Sequence, residues 1–341
     1  MNGAESLVKT LVAGGVEVCF ANPGTSEMHF VAALDKVPGI RCVLCLFEGV
    51  VTGAADGYAR MADKPAATLL HLGPGLANGL ANLHNARRAR TPIVNIVGDH
   101  ATYHLQYDSP LTSDIETLAR PMSSWVRTSK DARMVGADAA DAISVAKSAK
   151  GEIATLILPA NTAWTEGGVV AAVPPPMAAK PVPEEVIREV AEALQSGAAM
   201  LLMGGKALRH RALELAAAIG LKTGQQVMAI SRNPRIERGA GRVTIDRIPN
   251  PVEKSIDRFH ALRTLILVDE DAPVAFFAHP GKPGKLTSAT CNILTLAGAS
   301  DDIVGALEAL AERLGARVSD VPRQPLARPD IPCLDAGRTT T

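Results

Sequence analysis

The sequence predicts an α/β fold: a doubly wound, mostly parallel sheet followed by a second, smaller α/β domain. Three observations carry this. Short β-branched and apolar runs alternate with amphipathic stretches long enough to serve as crossover helices. A proline-rich stretch containing Pro174, Pro175, Pro176, Pro181 and Pro183 divides the chain. At 341 residues and 47% hydrophobic, the chain is long enough for about two cores.

In order, a helix is expected over Gly3–Ala13 and a strand over Val16–Phe20. Strands follow at Cys42–Phe47, read as buried because the run is apolar, and at Ala66–Leu72, Ile93–Val97 and Ala154–Leu158. These form a first domain over residues 1–165, with a linker at 166–182. The second, central domain spans 183–315, with a helix at Pro183–Gln195, a strand at Ala199–Met203, a helix at Leu208–Ile219, a strand at Thr264–Val268 and a helix at Asp301–Leu314 capped by Asp301. Residues 316–341, with Pro322, Pro325, Pro329 and Pro332, read as an irregular tail.

Composition excludes several functions. Net charge is zero and aromatic residues make up 3%, so neither a phosphate-binding field nor a base-stacking platform for nucleic acid is expected. No run approaches the ~20 apolar residues of a membrane span, and MNGAESLVKTLVAGG lacks a signal layout, so a cytoplasmic protein is expected. Five cysteines in no repeating framework argue against a disulfide scaffold. Cys42 and Cys45, three apart on a strand, face opposite sides of the sheet and no second pair completes a site, so no metal ligands are expected in this chain.

Three segments carry chemistry. Asn22-Pro23-Gly24-Thr25-Ser26-Glu27 follows a strand, the place where open parallel sheets bind ligands, and Thr25 or Ser26 is suited to cap the next helix. By itself this is a well-made turn. Glu48 stands where an apolar strand gives way to a helix, and Gly49, Gly53 and Gly57 recur every four residues along one helix face. Each glycine costs about 1 kcal/mol against alanine in a helix, so a close approach, a packed helix or a subunit interface, is expected beside Glu48. In His71-Leu72-Gly73-Pro74-Gly75-Leu76-Ala77-Asn78-Gly79, the GxGxxxG spacing and Pro74 do not match a dinucleotide site. A loop that lets a ligand approach backbone remains, with His71 either a hydrogen-bonding group or a satisfied polar residue at a strand end.

Taken together, the order NPG, then E-x-x-x-x-x-A-A-x-G-Y-A-R, then G-P-G-x-x-N resembles thiamine-diphosphate enzymes of the acetolactate synthase and benzoylformate decarboxylase group. The likeness continues through Thr91–Gly98 and Arg120-Pro121-Met122 and covers a pyrimidine-binding domain and, more weakly, the central domain. It implies that Glu48 is the catalytic glutamate that hydrogen-bonds the aminopyrimidine of thiamine diphosphate, favouring loss of the thiazolium C2 proton. By the same resemblance Pro23, Gly24, Gly73, Pro74 and Asn78 lie near the cofactor, while Thr25, Ser26 and His71 face the substrate side. The implied activity is that of a 2-oxo-acid carboligase acting on pyruvate. The alternatives are an aryl 2-oxo-acid decarboxylase and a non-catalytic subunit that keeps the dimer face.

The chain also departs from the family. Its diphosphate-binding domain holds Mg²⁺ through a G-D-G motif, and no G-D-G occurs here. The Mg²⁺ ligands are therefore expected on a missing C-terminal domain, the chain being either truncated and inactive alone or completed by a separate polypeptide. Phe47 replaces a histidine common in relatives, and Ser231–Val243 reads as the remnant of a flavin loop, which leaves FAD in doubt. A homodimer or tetramer is implied.

Overall fold

The computed structural model describes residues 1–328. The chain divides into two compact units, Met1–Lys180 and Pro181–Thr341.

In the first unit, helix α1 (Gly3–Ala13) has the predicted bounds, with the Asn2 side chain accepting from the Glu5 N–H at 2.9 Å as its cap. Strands β1 (Val18–Asn22), β2 (Arg41–Leu44), β3 (Ala66–Leu70), β4 (Ile93–Asp99), β5 (Trp125–Thr128) and β6 (Ile153–Pro159) make one sheet of order β2-β1-β3-β4-β6-β5, parallel at every pairing. Helices α2 (Met28–Lys36), α3 (Glu48–Ala62), α4 (Leu72–Arg88), α5 (Ile115–Ala119), α6 (Ala132–Ala146) and α7 (Ala160–Trp164) complete the unit. One apolar cluster joins Leu7, Leu11, Phe30, Ile96 and Ile143, and another joins Val51, Ala55, Leu76, Leu83 and Val97. The central strands, buried throughout, read as continuous apolar runs because both faces are covered. The polar residues among them bond to one another: Thr68 Oγ1 donates to Asn95 Oδ1 at 2.7 Å, and Asn95 Nδ2 donates to Thr155 Oγ1 at 2.9 Å.

Three expectations change here. The strand expected to be buried over Cys42–Phe47 stops at Leu44 and is the sheet's edge; Cys45 joins the core and Val43 packs against it, whereas Leu44, Leu46 and Phe47 are exposed, Leu46 by 93%. Neither Thr25 nor Ser26 caps a helix, since Thr25–Glu27 form a 3₁₀ turn leading into α2. Strand β5 had no counterpart in the sequence reading because four half-buried residues that include Arg127 give no clear apolar alternation. Residues 166–171 lie along the unit: Gly168 N–H donates to Met1 C=O at 2.9 Å and Ala171 N–H to Thr10 Oγ1 at 3.2 Å.

The second unit holds α8 (Glu184–Ser196), β7 (Ala199–Met203), α9 (His210–Thr223), β8 (Gln226–Ala229), β9 (Asp246–Arg247), α10 (Val252–Phe259), β10 (Thr264–Val268), β11 (Asn292–Ala297) and α11 (Ile303–Leu314). Its sheet is again parallel, in the order β11-β10-β7-β8-β9. The fold class is thus α/β in both units. Asp302, not Asp301, caps α11 by accepting from the Gly305 N–H at 2.9 Å, while Asp301 braces the Gly298 turn at 2.8 Å. The end of the expected tail, from residue 329, lies outside the described residues.

Candidate functional site

Parallel strands present their carboxyl ends on one edge of the sheet, and β2, β1 and β3 are neighbours. The three segments singled out in the sequence leave those three ends, which brings Gly24, Glu48, His71 and Asn78 together. Pro23, also on the β1 turn, is half-buried.

Glu48 is the first residue of α3 and is 9% exposed. A carboxylate is favoured there by the unpaired amides of the first helical turn. Its Oε2 accepts from Asn78 Nδ2 at 3.0 Å, and its Oε1 accepts no hydrogen bond among the described residues. A Cβ on Gly75 would sit 3.2 Å from that Oε1 and 3.4 Å from His71 Cβ, so Glu48 and His71 flank the bare backbone of Gly75. Helices α3 and α4 are stitched together around this point. Thr52 Oγ1 donates to Gly79 C=O at 3.0 Å, and Asn82 Nδ2 donates to Gly49 C=O at 2.7 Å.

The glycine stripe behaves unevenly. A Cβ on Gly53 would lie 3.0 Å from Asn82 Nδ2, which explains that glycine by helix packing. On Gly49 it would strike the Phe47 ring at 2.4 Å. A Cβ added at Gly57 would meet no atom within 4 Å, so among the described residues nothing accounts for the helix propensity lost there.

His71 precedes α4, whose first residue, Leu72, is fully buried with φ at 51°. A leucine in the left-handed region is strained by about 1–3 kcal/mol, a cost usually met where surrounding structure fixes a functional turn. The His71 ring lies on Gly24, where a Cβ would be 2.3 Å from Nδ1. Its Nδ1 pairs with Glu27 Oε2 at 2.8 Å. Glu27 is buried, and this burial pushes its carboxyl above the ordinary range, an effect partly offset by bonds from the Gly24 N–H and His71. Sequence reasoning passed over Glu27, although a glutamate three residues after a turn glycine is the spacing by which a side chain reaches back to an amide.

Other expected site residues lie less close to this centre. Thr25 is exposed, Ser26 is half-buried, and neither hydroxyl has a described bond. Gly73 is buried beneath Ser113, whose Oγ would be 2.3 Å from a Cβ there, and Pro74 is exposed. The segment between β4 and α5 thus closes over Gly73 at one end. Near its other end, the rings of His100, His104 and Tyr107 meet in tilted contacts, with centroids 5.8 and 5.4 Å apart. Burial also raises the Asp99 carboxyl at the end of β4. No cluster of three or more metal-binding side chains occurs among the described residues. Cys42 is exposed and Cys45 buried. In the second unit, Glu237 in the segment Ser231–Val243 accepts from Arg235 at 2.6 Å, Arg242 at 3.1 Å and the His210 N–H at 2.8 Å.

Residues 1–119 match the family described as thiamine pyrophosphate enzyme, N-terminal TPP binding domain. The Mycobacterium tuberculosis protein IlvX, classed with acetolactate synthase large subunits, is 50% identical over 98% of this chain, which spans 65% of IlvX. Benzoylformate decarboxylase of Pseudomonas aeruginosa is 33% identical over 33% of the chain and 21% of its own length. The X-ray structure of a Mycobacterium smegmatis protein, classed as thiamin diphosphate-dependent, superposes with a TM-score of 0.80. That likeness covers 96% of this chain and 66% of the other at 24% identity, a likeness of fold.

Proposed function

This chain is a relative of the thiamine-diphosphate-dependent enzymes, similar to acetolactate synthase large subunits, and on that premise we propose that its first unit supplies the pyrimidine-binding half of a thiamine-diphosphate site serving a 2-oxo-acid carboligase. The observation that carries this reading is Glu48: a buried carboxylate at a helix start, with Oε2 held by Asn78 and Oε1, beside Gly75, without a partner among the described residues.

These residues fit an aminopyrimidine. The unpartnered Oε1 provides a group that can share a proton with a ring nitrogen, and Gly75 leaves room above it where a side chain would not. Asn78 fixes the carboxyl's orientation, so no rotation is needed when a proton moves. When bound, thiamine diphosphate supplies the electron sink for breaking or making a bond at a 2-oxo carbon. With the cofactor bound, the Glu48 carboxyl, itself 9% exposed, would share a proton with the pyrimidine nitrogen. The ligands for Mg²⁺ would come from outside the described residues.

The exposed apolar strip of Leu44, Leu46, Phe47 and Val50 beside Glu48, with the open side of Gly57, supports self-association as a homodimer or tetramer through this face. A second reading, an aryl 2-oxo-acid decarboxylase, is favoured by the half-buried imidazole of His71 and by Phe47. The test is product analysis. With a diphosphate-binding domain supplied in cis or in trans, acetolactate from pyruvate supports the first reading, and aldehyde from an aromatic 2-oxo acid supports the second. No turnover of either, with cofactor bound, would refute both.

A further inference from the structure

Glu27 plays no part in the chemistry assigned to Glu48, yet it is the more completely sealed carboxyl, with 0% of its side chain exposed. One oxygen does all the bonding. Oε2 accepts from the Gly24 N–H at 2.7 Å and pairs with His71 Nδ1 at 2.8 Å, while Oε1 has no partner among the described residues. Two glycines make room for this pair. A Cβ on Gly98 would stand 1.7 Å from Glu27 Oε1, and one on Gly24 would stand 2.3 Å from His71 Nδ1. Neither glycine has a positive φ, so backbone conformation does not demand it, and space for the pair does.

The bonding pattern decides where the protons lie. An oxygen that already takes an N–H from Gly24 is acting as an acceptor, whereas the hydroxyl oxygen of a neutral acid accepts poorly. His71 Nδ1 is then the donor. Burial raises the Glu27 carboxyl, and the bonds from Gly24 and His71 oppose that effect, so the imidazole is part of what keeps the acceptor in place. Among the described residues, His71 is the one titratable side chain bonded to Glu27; Asp99, next to Gly98, accepts instead from the His100 N–H at 2.8 Å.

We infer that Glu27 is a positioning residue that locks His71 in the Nδ1–H tautomer, leaving the lone pair on Nε2, a nitrogen with no described partner, to take up or return a proton at the site. The mechanical reason resembles that of any carboxylate that orients a working imidazole: the bond at one nitrogen sets the state of the other. The role of Nε2 in turnover rests on the function proposed above, whereas the tautomer does not.

The experiment is long-range ¹H–¹⁵N NMR of the 341-residue chain with ¹⁵N-labelled histidine and no cofactor, at a pH about two units above the ordinary histidine value of about 6.5. His71 is assigned among the eight histidines by the loss of its signals in His71→Asn. The expected result is an Nδ1–H pattern for wild type and loss of that pattern in Glu27→Met, which keeps the bulk and removes the acceptor, with the other histidines unchanged. An Nε2–H pattern in wild type overturns the inference, as does an Nδ1–H pattern that persists in folded Glu27→Met. If the variant does not fold, the wild-type spectrum decides alone, Nδ1–H upholding the assignment and Nε2–H overturning it. Because every arm is cofactor-free, failure to bind thiamine diphosphate would refute the functional reading and leave this result standing.

Discussion

Replacing Glu48 with glutamine separates a chemical role from a structural one. The amide keeps the shape, and its oxygen can still accept from Asn78 at the 3.0 Å spacing, so the side chain stays in place. Exchanging a charged for a neutral acceptor costs about 1 kcal/mol, and the lost attraction to the first turn of α3 adds roughly 0.3–1 kcal/mol. The fold therefore survives. The acid function does not, because an amide cannot pass a proton to a ring nitrogen. General acid–base participation is worth about 10²- to 10⁴-fold, or roughly 2.7–5.4 kcal/mol at 1.36 kcal/mol per decade. The assay is NMR-detected exchange of the thiamine-diphosphate C2 proton, with the diphosphate-binding domain supplied in cis or in trans. Exchange is expected to fall by at least 10²-fold in Glu48→Gln while the urea midpoint drops by no more than about 1 M and the fold persists. Equal exchange rates, with cofactor bound to both proteins, would mean that Glu48 is structural and that the reasoning fails.

Other perturbations test other parts of the structure. At Gly57 an added Cβ meets no atom of the described residues within 4 Å, so in Gly57→Leu the fold should persist while self-association weakens; an unchanged mass in sedimentation would count against an interface there. Glu27→Gln tests the raised carboxyl: its contribution to stability is fully present below the ordinary value of 4.5 and is lost as pH rises through the higher folded value. The stability of the variant relative to wild type should therefore climb as pH rises from about 4.5 in urea titrations, and a flat difference would refute the shift. Gly24→Ala places a methyl 2.3 Å from the His71 ring and should displace the imidazole at an overpacking cost of about 1–3 kcal/mol, seen as altered His71 NMR signals in a folded chain.

How far the sequence could be read depended on the range of the interactions involved. Helix α1 was legible to its ends because its apolar period and its Asn2 cap are both local. The resemblance carried by the Pro23–Gly24, Glu48 and Asn78 segments implied that they lie near one cofactor, and the parallel order β2-β1-β3 brings those segments together. The apolar run at Cys42–Phe47 misled because hydrophobicity reports that a surface avoids water and does not say which body covers it. Glu27 lay in plain view inside a quoted motif, but its meaning depends on His71, 44 residues away, and on the space left by Gly98. The left-handed backbone of Leu72 was equally invisible, since a leucine ordinarily signals helix and nothing in its neighbours announces the strain.

The edge formed by β2 has a colloidal consequence. Open backbone amides and carbonyls run beside Leu44, Leu46 and Phe47, so a chain in dilute solution offers strand-pairing groups and grease at the same place. Charged gatekeepers that would discourage stacking are sparse: Arg41 stands at the strand's start, and the next charge along the chain is the largely buried Glu48. A partner covering this edge would therefore also act as its solubiliser, and because stacking of lone chains is an association, it grows with concentration.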